Sequence, residues 1–164
     1  MRRYHILGWV LLTSLCIGYT WAAGESKDSR AIRTLLEQEA SGWRRPNVGT
    51  IVSRYTSAFV GYEGYRASKA TQWKIVFNDK KEFRAYLDKR LSRVRYGFKR
   101  SILSIQVGGT NTHAFAVTHD VGAATFQESG LQEEVDAHTF WILTKDGEDW
   151  GITHAVRRLP WPEE

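Results

Sequence analysis

Apolar residues recur at Ile32, Leu35, Leu36, Ala40 and Trp43, at intervals of three and four, which lays one stripe along a helix. That helix starts near Asp28 or Ser29, and Pro46, which cannot continue a helical ladder, ends it. After the turn Arg45-Pro46-Asn47-Val48-Gly49, the set Ile51, Val52, Tyr55, Ala58 and Phe59 predicts a second, short helix closed by Gly61 and Gly64, so that the two form a hairpin. Residues 62 to 77 carry Tyr62, Tyr65, Trp73, Val76 and Phe77 without a clean period, the pattern of a loop with one short strand or helical turn. A third helix follows: Asp79 and Glu82 have capping-box spacing, and Phe83, Tyr86, Leu87, Leu91 and Val94 come at helical intervals. From Arg95 onward the residues favour strands, in four runs: Tyr96 to Val107, Thr112 to Ala124, Glu133 to Lys145 and Trp150 to Leu159. They are parted by Gly108-Gly109, Gln127 to Gly130 and Asp146-Gly147, connections short enough for antiparallel hairpins. Three helices followed by four long strands predict an α+β domain with the helices on one face of the sheet.

Ahead of these elements lies a different signature. Arg2 and Arg3 precede Ile6 to Trp21, sixteen residues without a charge, and Ala22 and Ala23 lead into the polar run Gly24-Glu25-Ser26-Lys27-Asp28. Basic, apolar, small, polar is the order of a secretory signal peptide, cleaved here near residue 23, with 24 to 164 as a single exported domain, periplasmic or secreted. An uncleaved anchor is the alternative, since a span needs about twenty residues; Gly, Thr, Ser and Tyr make this stretch a poor one. No stable membrane span is expected once the segment is removed. Cys16, the only cysteine, leaves with it, which excludes disulfides, thiol nucleophiles and thiolate metal sites from the remainder.

Composition narrows the class without choosing a partner. With 42% hydrophobic, 13% aromatic and 25% charged residues, the 164-residue chain reads as one globular domain, and disordered or low-complexity readings fall away. Nine bases against three acids between Asp79 and Arg100 give the third helix a basic face, suited to anionic headgroups, envelope polymer or an acidic ligand. Nucleic acid is not expected, as no binding motif accompanies that charge.

Candidate chemistry centres on four histidines, His113, His119, His138 and His154, all on predicted strands. No HxH or HxxxH spacing brings two of them together locally, so no metal site is assigned. His119 and Asp120 are not a dyad, because adjacent strand residues point to opposite faces. Asp136 and His138, two apart, share a face and are placed to pair. Simple alternation sets Trp150, Ile152, His154 and Val156 on one face of the last strand, and Thr139, Trp141 and Leu143 on one face of its neighbour.

The segment Asp146-Gly147-Glu148-Asp149-Trp150-Gly151-Ile152-Thr153-His154 resembles the last hairpin of the nuclear-transport-factor-2-like superfamily, also called SnoaL-like or ketosteroid-isomerase-like: a glycine turn, then Trp, an aliphatic residue and His at alternate positions. Trp43 near the end of the first helix, and Tyr55 to Tyr62 after the second, resemble its helix hairpin and loop, and the likeness spans about residues 29 to 159. The resemblance implies a cone-shaped α+β barrel, three helices packed in a curved antiparallel sheet of four long strands, that forms a homodimer through its sheet and needs no cofactor. It further implies that the open end of the cone binds a small apolar or amphipathic molecule. The ligand-binding residues it points to are Trp43, Tyr55, Phe59, Tyr62, Trp141, Trp150, Ile152 and Arg157. The superfamily also holds isomerases, dehydratases and cyclases. Its ketosteroid isomerases use a first-helix Tyr and a strand Asp to hold an oxyanion, and an Asp beyond the second helix as base; these positions fall near Glu39, Thr139 and Glu63. Only Glu63 keeps its chemistry. The alternative of a cofactor-independent acid-base enzyme therefore rests on Glu63 with His154, His138 or a pocket Tyr, and requires Glu63 and a His in one cavity. A further alternative, a homo-oligomeric assembly module like the association domain of calcium/calmodulin-dependent kinases, requires a cone filled by Trp and Phe.

Overall fold

The structure, a computed structural model, describes residues 25–64 and 73–158. The expected signal segment, Tyr65 and Leu159 lie outside the described residues. Helix α1 (Lys27–Arg44) is capped by Ser26, whose hydroxyl accepts from the Ser29 amide, and α2 (Val48–Val52) by Asn47, which accepts from the Thr50 amide. Strands β1 (Tyr55–Gly64) and β2 (Lys74–Phe77) follow, then α3 (Lys80–Leu91) and four long strands, β3 (Val94–Val107), β4 (His113–Phe126), β5 (Gln132–Asp146) and β6 (Asp149–Arg158). The α3 cap matches the expectation with a small displacement. Asp79 accepts from the Glu82 amide at 2.7 Å, while the Glu82 carboxylate reaches one residue further back, to the Asn78 amide, also at 2.7 Å.

Two expectations are corrected. The second helix is only five residues long, and Tyr55, Ala58 and Phe59 belong to β1. A spacing of four suits a helix face and a strand face equally, so the periodicity of Tyr55 and Phe59 did not discriminate. What decides the matter is distant: β1 runs parallel to β6, pairing Val60 with His154 through to Gly64 with Arg158. The sheet consequently has six strands rather than four, in the order β2-β1-β6-β5-β4-β3, with every other neighbouring pair antiparallel. Its edges, β2 and β3, do not pair with each other, so the barrel is unclosed.

The sheet holds α1 against β3 and β6, and α3 against β1 and β2. The predicted stripe of α1 is the buried one: Ile32, Leu35, Leu36 and Ala40 are core, with Trp43 packed at its margin. Along β4, Ala114, Ala116, Thr118 and Asp120 face inward, and along β5 Val135, Ala137, Thr139, Trp141 and Leu143 do so. Strand β6 departs from simple alternation. Its Ile152 pairs with Leu143 but its His154 pairs with Ile142, so two steps on β6 oppose one on β5. This bulge shifts the phase of the strand: Ile152 points into the core, while beyond it Ala155 and Arg157, rather than His154, face the concave side.

A polar clasp ties the first turn of α1 to the β5–β6 hairpin. Asp28 Oδ1 accepts from Lys145 Nζ and from Trp150 Nε1, each at 2.9 Å, and a carboxylate at a helix N-terminus also suits the helix dipole. Lys145 chiefly, and then Trp150, hold the Asp28 carboxyl below the ordinary aspartate range. A depressed folded-state pKa contributes stability that is complete above the unfolded-state value and lost as pH falls through the folded one. Asp28→Asn is expected to lower the thermal midpoint at neutral pH, and the gap to the wild type should close as pH falls below about 3.9; equal acid sensitivity of the two proteins would contradict the clasp. Gly122 supplies a second test. A Cβ there would stand 2.2 Å from the Gly97 carbonyl oxygen and 2.5 Å from Phe98 Cα, backbone atoms of the neighbouring strand. Gly122→Ala is expected to cost about 2 kcal/mol or more in urea unfolding; an unchanged midpoint would mean that β3 and β4 yield there easily.

Candidate functional site

The inward faces of the sheet and helices surround a narrow cavity of about 90 Å³ that opens to solvent at its mouth. Its outer part is formed by partly exposed residues, among them Tyr62, Glu63 and Arg157 on β1 and β6, Val76 on β2 and Tyr86 on α3. Glu63 and Arg157 are direct partners in the β1–β6 register, which sets them side by side on one face. Deeper in, the wall is aromatic. Tyr55 lies 4.5 Å from Phe59 and 4.8 Å from Phe83 between ring centroids, and Trp43 meets Tyr96 edge to face at 5.1 Å. Such tilted and edge-to-face arrangements suit the ring quadrupoles and fix the wall's shape.

At its deepest the cavity is lined by charge. Alternation along β3 turns Tyr96, Phe98 and Arg100 inward, and the register places Arg100 directly opposite Asp120 of β4. The guanidinium meets the Asp120 carboxylate with both prongs, Nε to Oδ1 and Nη2 to Oδ2, each at 2.7 Å. Its Nη1 donates to Glu39 Oε2 of α1 at 2.6 Å and to the Leu36 carbonyl at 3.0 Å. The other Glu39 oxygen accepts from Tyr55 Oη at 2.8 Å and Trp43 Nε1 at 2.7 Å. Trp141 closes over the guanidinium, ring centroid 5.2 Å from Cζ, and donates its own indole N–H to Thr118 at 3.0 Å. The side chains of Arg100 and Glu39 are only 5% and 1% exposed. Burial pulls the Arg100 pKa down, but Glu39 and Asp120 outweigh it and the net direction is up, so the guanidinium stays charged. Burial first, and the adjacent Glu39 carboxylate second, hold the Tyr55 phenol well above its ordinary range, as a neutral O–H donor. Three donors on Glu39 match the ionised carboxylate, and two carboxylates against one guanidinium leave the deep end formally anionic.

Of the residues singled out from sequence, Trp43, Tyr55, Phe59, Tyr62, Glu63, Trp141 and Arg157 all line this cavity. Trp150 and Ile152 do not, because Ile152 is wholly buried in the core and Trp150 turns its indole N–H to Asp28. The bulge takes His154 away from the cavity as well; its imidazole stacks near Tyr62, centroids 6.2 Å apart, and its buried Nδ1 has no hydrogen-bond partner. His138 faces the outer side of the sheet, stacked on His119 at 4.0 Å. Asp136 does not pair with His138 as expected but reaches across to His119, Oδ1 to Nε2, at 2.6 Å. Among the described residues no histidine lines the cavity, so the pairing of Glu63 with a histidine is not assembled.

Sequence reasoning missed Arg100, which it counted only within a basic run, and Asp120, which it set aside as unable to meet His119. Both lie on otherwise apolar, inward strand faces, and a charge at such a position is itself the signal of a buried partner. Glu39, noted only for its position on the first helix, is the hub that joins them.

No family model and no curated protein matches the chain. Solved structures do. A ketosteroid isomerase-like protein from Erwinia carotovora atroseptica SCRI1043 superposes with a TM-score of 0.68 at 14% identity, over 84% of this chain and 99% of that one. A conserved protein from Planctomyces limnophilus DSM 3776 gives 0.66 at 20% identity, over 79% and 93%. A nuclear-transport-factor-2-like protein of unknown function from Pseudomonas putida KT2440 gives 0.60 at 15%, over 86% and 93%. The chain has the nuclear-transport-factor-2-like fold, as the sequence resemblance implied, and these likenesses carry the fold alone.

Removing one partner from the Glu39–Arg100–Asp120 cluster strands a buried charge, which typically costs about 3–5 kcal/mol. Arg100→Met is expected to lose stability in that range by urea unfolding. Combined with Glu39→Gln it should lose less than the sum of the two single changes, because the partners share one network; strict additivity would mean that the groups do not act together.

Proposed function

We propose that this is a binding domain whose cone holds a small amphipathic molecule. The aromatic wall takes its flat apolar body, and Glu39 and Asp120 at the deep end take a hydroxyl or amine. The observation that carries this reading is the lining of the cavity, aromatic along its sides and formally anionic where it ends. The N-terminal order of basic, apolar and small residues supports export of the domain, and the exposed Phe115 and Val121 on the outer sheet face support pairing of two copies through the sheet. Among the described residues no helix is long and apolar enough to cross a membrane.

Native mass spectrometry of the protein from its own host tests these points together. The expected spectrum shows a chain beginning near residue 24, a dimer, and an added mass of a few hundred daltons that is lost on unfolding. Bare protein from the host, together with unchanged Trp43 and Trp141 fluorescence across a panel of aromatic alcohols and amines, would sink the binding reading. A second reading, acid-base turnover of the bound molecule, rests on Glu63 with a pocket Tyr, since Tyr62 and Tyr86 line the cavity with it and no histidine among the described residues does. On that reading Glu63→Gln retains the molecule but slows its conversion by about 10²–10⁴-fold; equal conversion by the variant would leave binding alone.

A further inference from the structure

The face of the sheet opposite the cavity carries a second cluster, independent of the binding reading. His119 and His138 are direct partners in the β4–β5 register, so the two imidazoles rise side by side from the middle of the longest strands. Their rings lie 4.0 Å apart and within 9° of parallel, and Asp136, two residues before His138 on the same face, places Oδ1 2.6 Å from His119 Nε2. One ligand atom from each of the three side chains falls within 4.8 Å of the other two. The separation along the chain hides this set, since strand pairing alone joins residue 119 to residues 136 and 138.

We infer that His119, Asp136 and His138 form a binding site for a first-row divalent transition metal ion, on the same outer sheet face that Phe115 and Val121 offer for pairing of two copies; the remaining coordination position is taken by water in the single chain or by a group of the second copy in a pair. Two imidazoles and one carboxylate suit Zn²⁺, Co²⁺, Ni²⁺ or Cu²⁺; Mg²⁺ and Ca²⁺ call for oxygen donors throughout. Ligand atoms about 2.0–2.2 Å from a tetrahedral ion stand roughly 3.3 Å apart. The 2.6 Å contact between His119 and Asp136 thus has to open by less than 1 Å, and the two stacked rings have to tilt out of parallel so that their in-plane nitrogen lone pairs converge on one ion, side-chain rotations that leave the strands in place. Because the ligands sit on paired strands rather than loops, their spacing is largely set before an ion arrives. In the single chain, side-chain exposures of 30% for His119 and 49% for Asp136 leave the ion a path in.

Titration of the tag-free full chain with Co²⁺, followed by its visible d–d absorption, tests the site. The expected result is saturable binding at one ion per chain, or one per pair of chains, with displacement by Zn²⁺. Loss of a group that merely orients a metal ligand costs about 10–100-fold in affinity, so His119→Ala and His138→Ala, which remove ligands, should each weaken binding by at least about 100-fold. Asp136→Asn should weaken it less, and His113→Ala, remote from the cluster, not at all. A readout that needs no variant is paramagnetic broadening of the histidine ring signals, expected first at His119 and His138 and not at His113. Absence of saturable binding, binding that survives both His variants, or broadening centred elsewhere would overturn the assignment.

Discussion

Arg100 is a guanidinium almost wholly removed from water, and the architecture around it is arranged so that the removal is tolerated. Asp120 meets it with two parallel bonds from the adjacent strand, Glu39 with a third from α1, and Trp141 covers its face. Each of these groups belongs to a different element, so the requirement to satisfy one buried charge pins α1 to the sheet at a defined depth and angle. Glu39 extends the same constraint, since its second oxygen gathers Tyr55 from β1 and Trp43 from α1. Apolar packing would allow α1 to slide or rotate within a well-filled core, whereas a fork of directed bonds permits one position. The aromatic wall therefore keeps its form because its rings are tethered to the ion cluster as well as packed on one another.

The second constraint is the bulge that separates Ile152 from His154. By adding one residue to β6 against β5, it divides the strand into a lower half whose side chains complete the core and an upper half whose alternate residues reach the cavity. Without that insertion His154 would stand where Ala155 stands, an imidazole in place of a methyl group in the wall. The space in front of Glu63 and Arg157 is thus partly a product of one irregular pair in a hairpin.

How much of this was legible beforehand follows from which interactions are local. The α1 stripe, the Asp79 cap and the four long strands depend on neighbours within a few residues, and they were read correctly from Ile32, Leu36, Glu82 and the glycine-marked turns. The conversion of Tyr55–Gly64 into a strand depends on residues almost a hundred positions away, and the four-residue spacing of Tyr55 and Phe59 obeyed both periods. Trp43, Tyr55, Phe59, Tyr62 and Trp141 came from the family resemblance, which offered Trp150 and Ile152 equally, although the bulge and the Asp28 clasp turn those two to other places. The charged cluster was not legible, since Arg100 looked like an ordinary member of a basic run and Asp120 was weighed only against its neighbour His119, until the register set the two opposite each other. The His119–His138 stack escaped for the same reason: only the pairing of β4 with β5 makes them neighbours.

The parallel pairing of β1 with β6 has a consequence for how the chain comes together. Residues 55–64 are made early, yet apart from a short contact with β2 their partner is the last strand of the domain. Closing that pair requires a loop that takes in α3 and three long strands, an entropic cost met only after everything between has condensed. Until then the segment carrying Phe59 and Glu63 presents a bare edge, which another chain of the same kind is equally able to cover. The wall that encloses the cavity is in this sense the last part of the molecule to become specific, and the interval before it does so is when two chains are most exposed to each other.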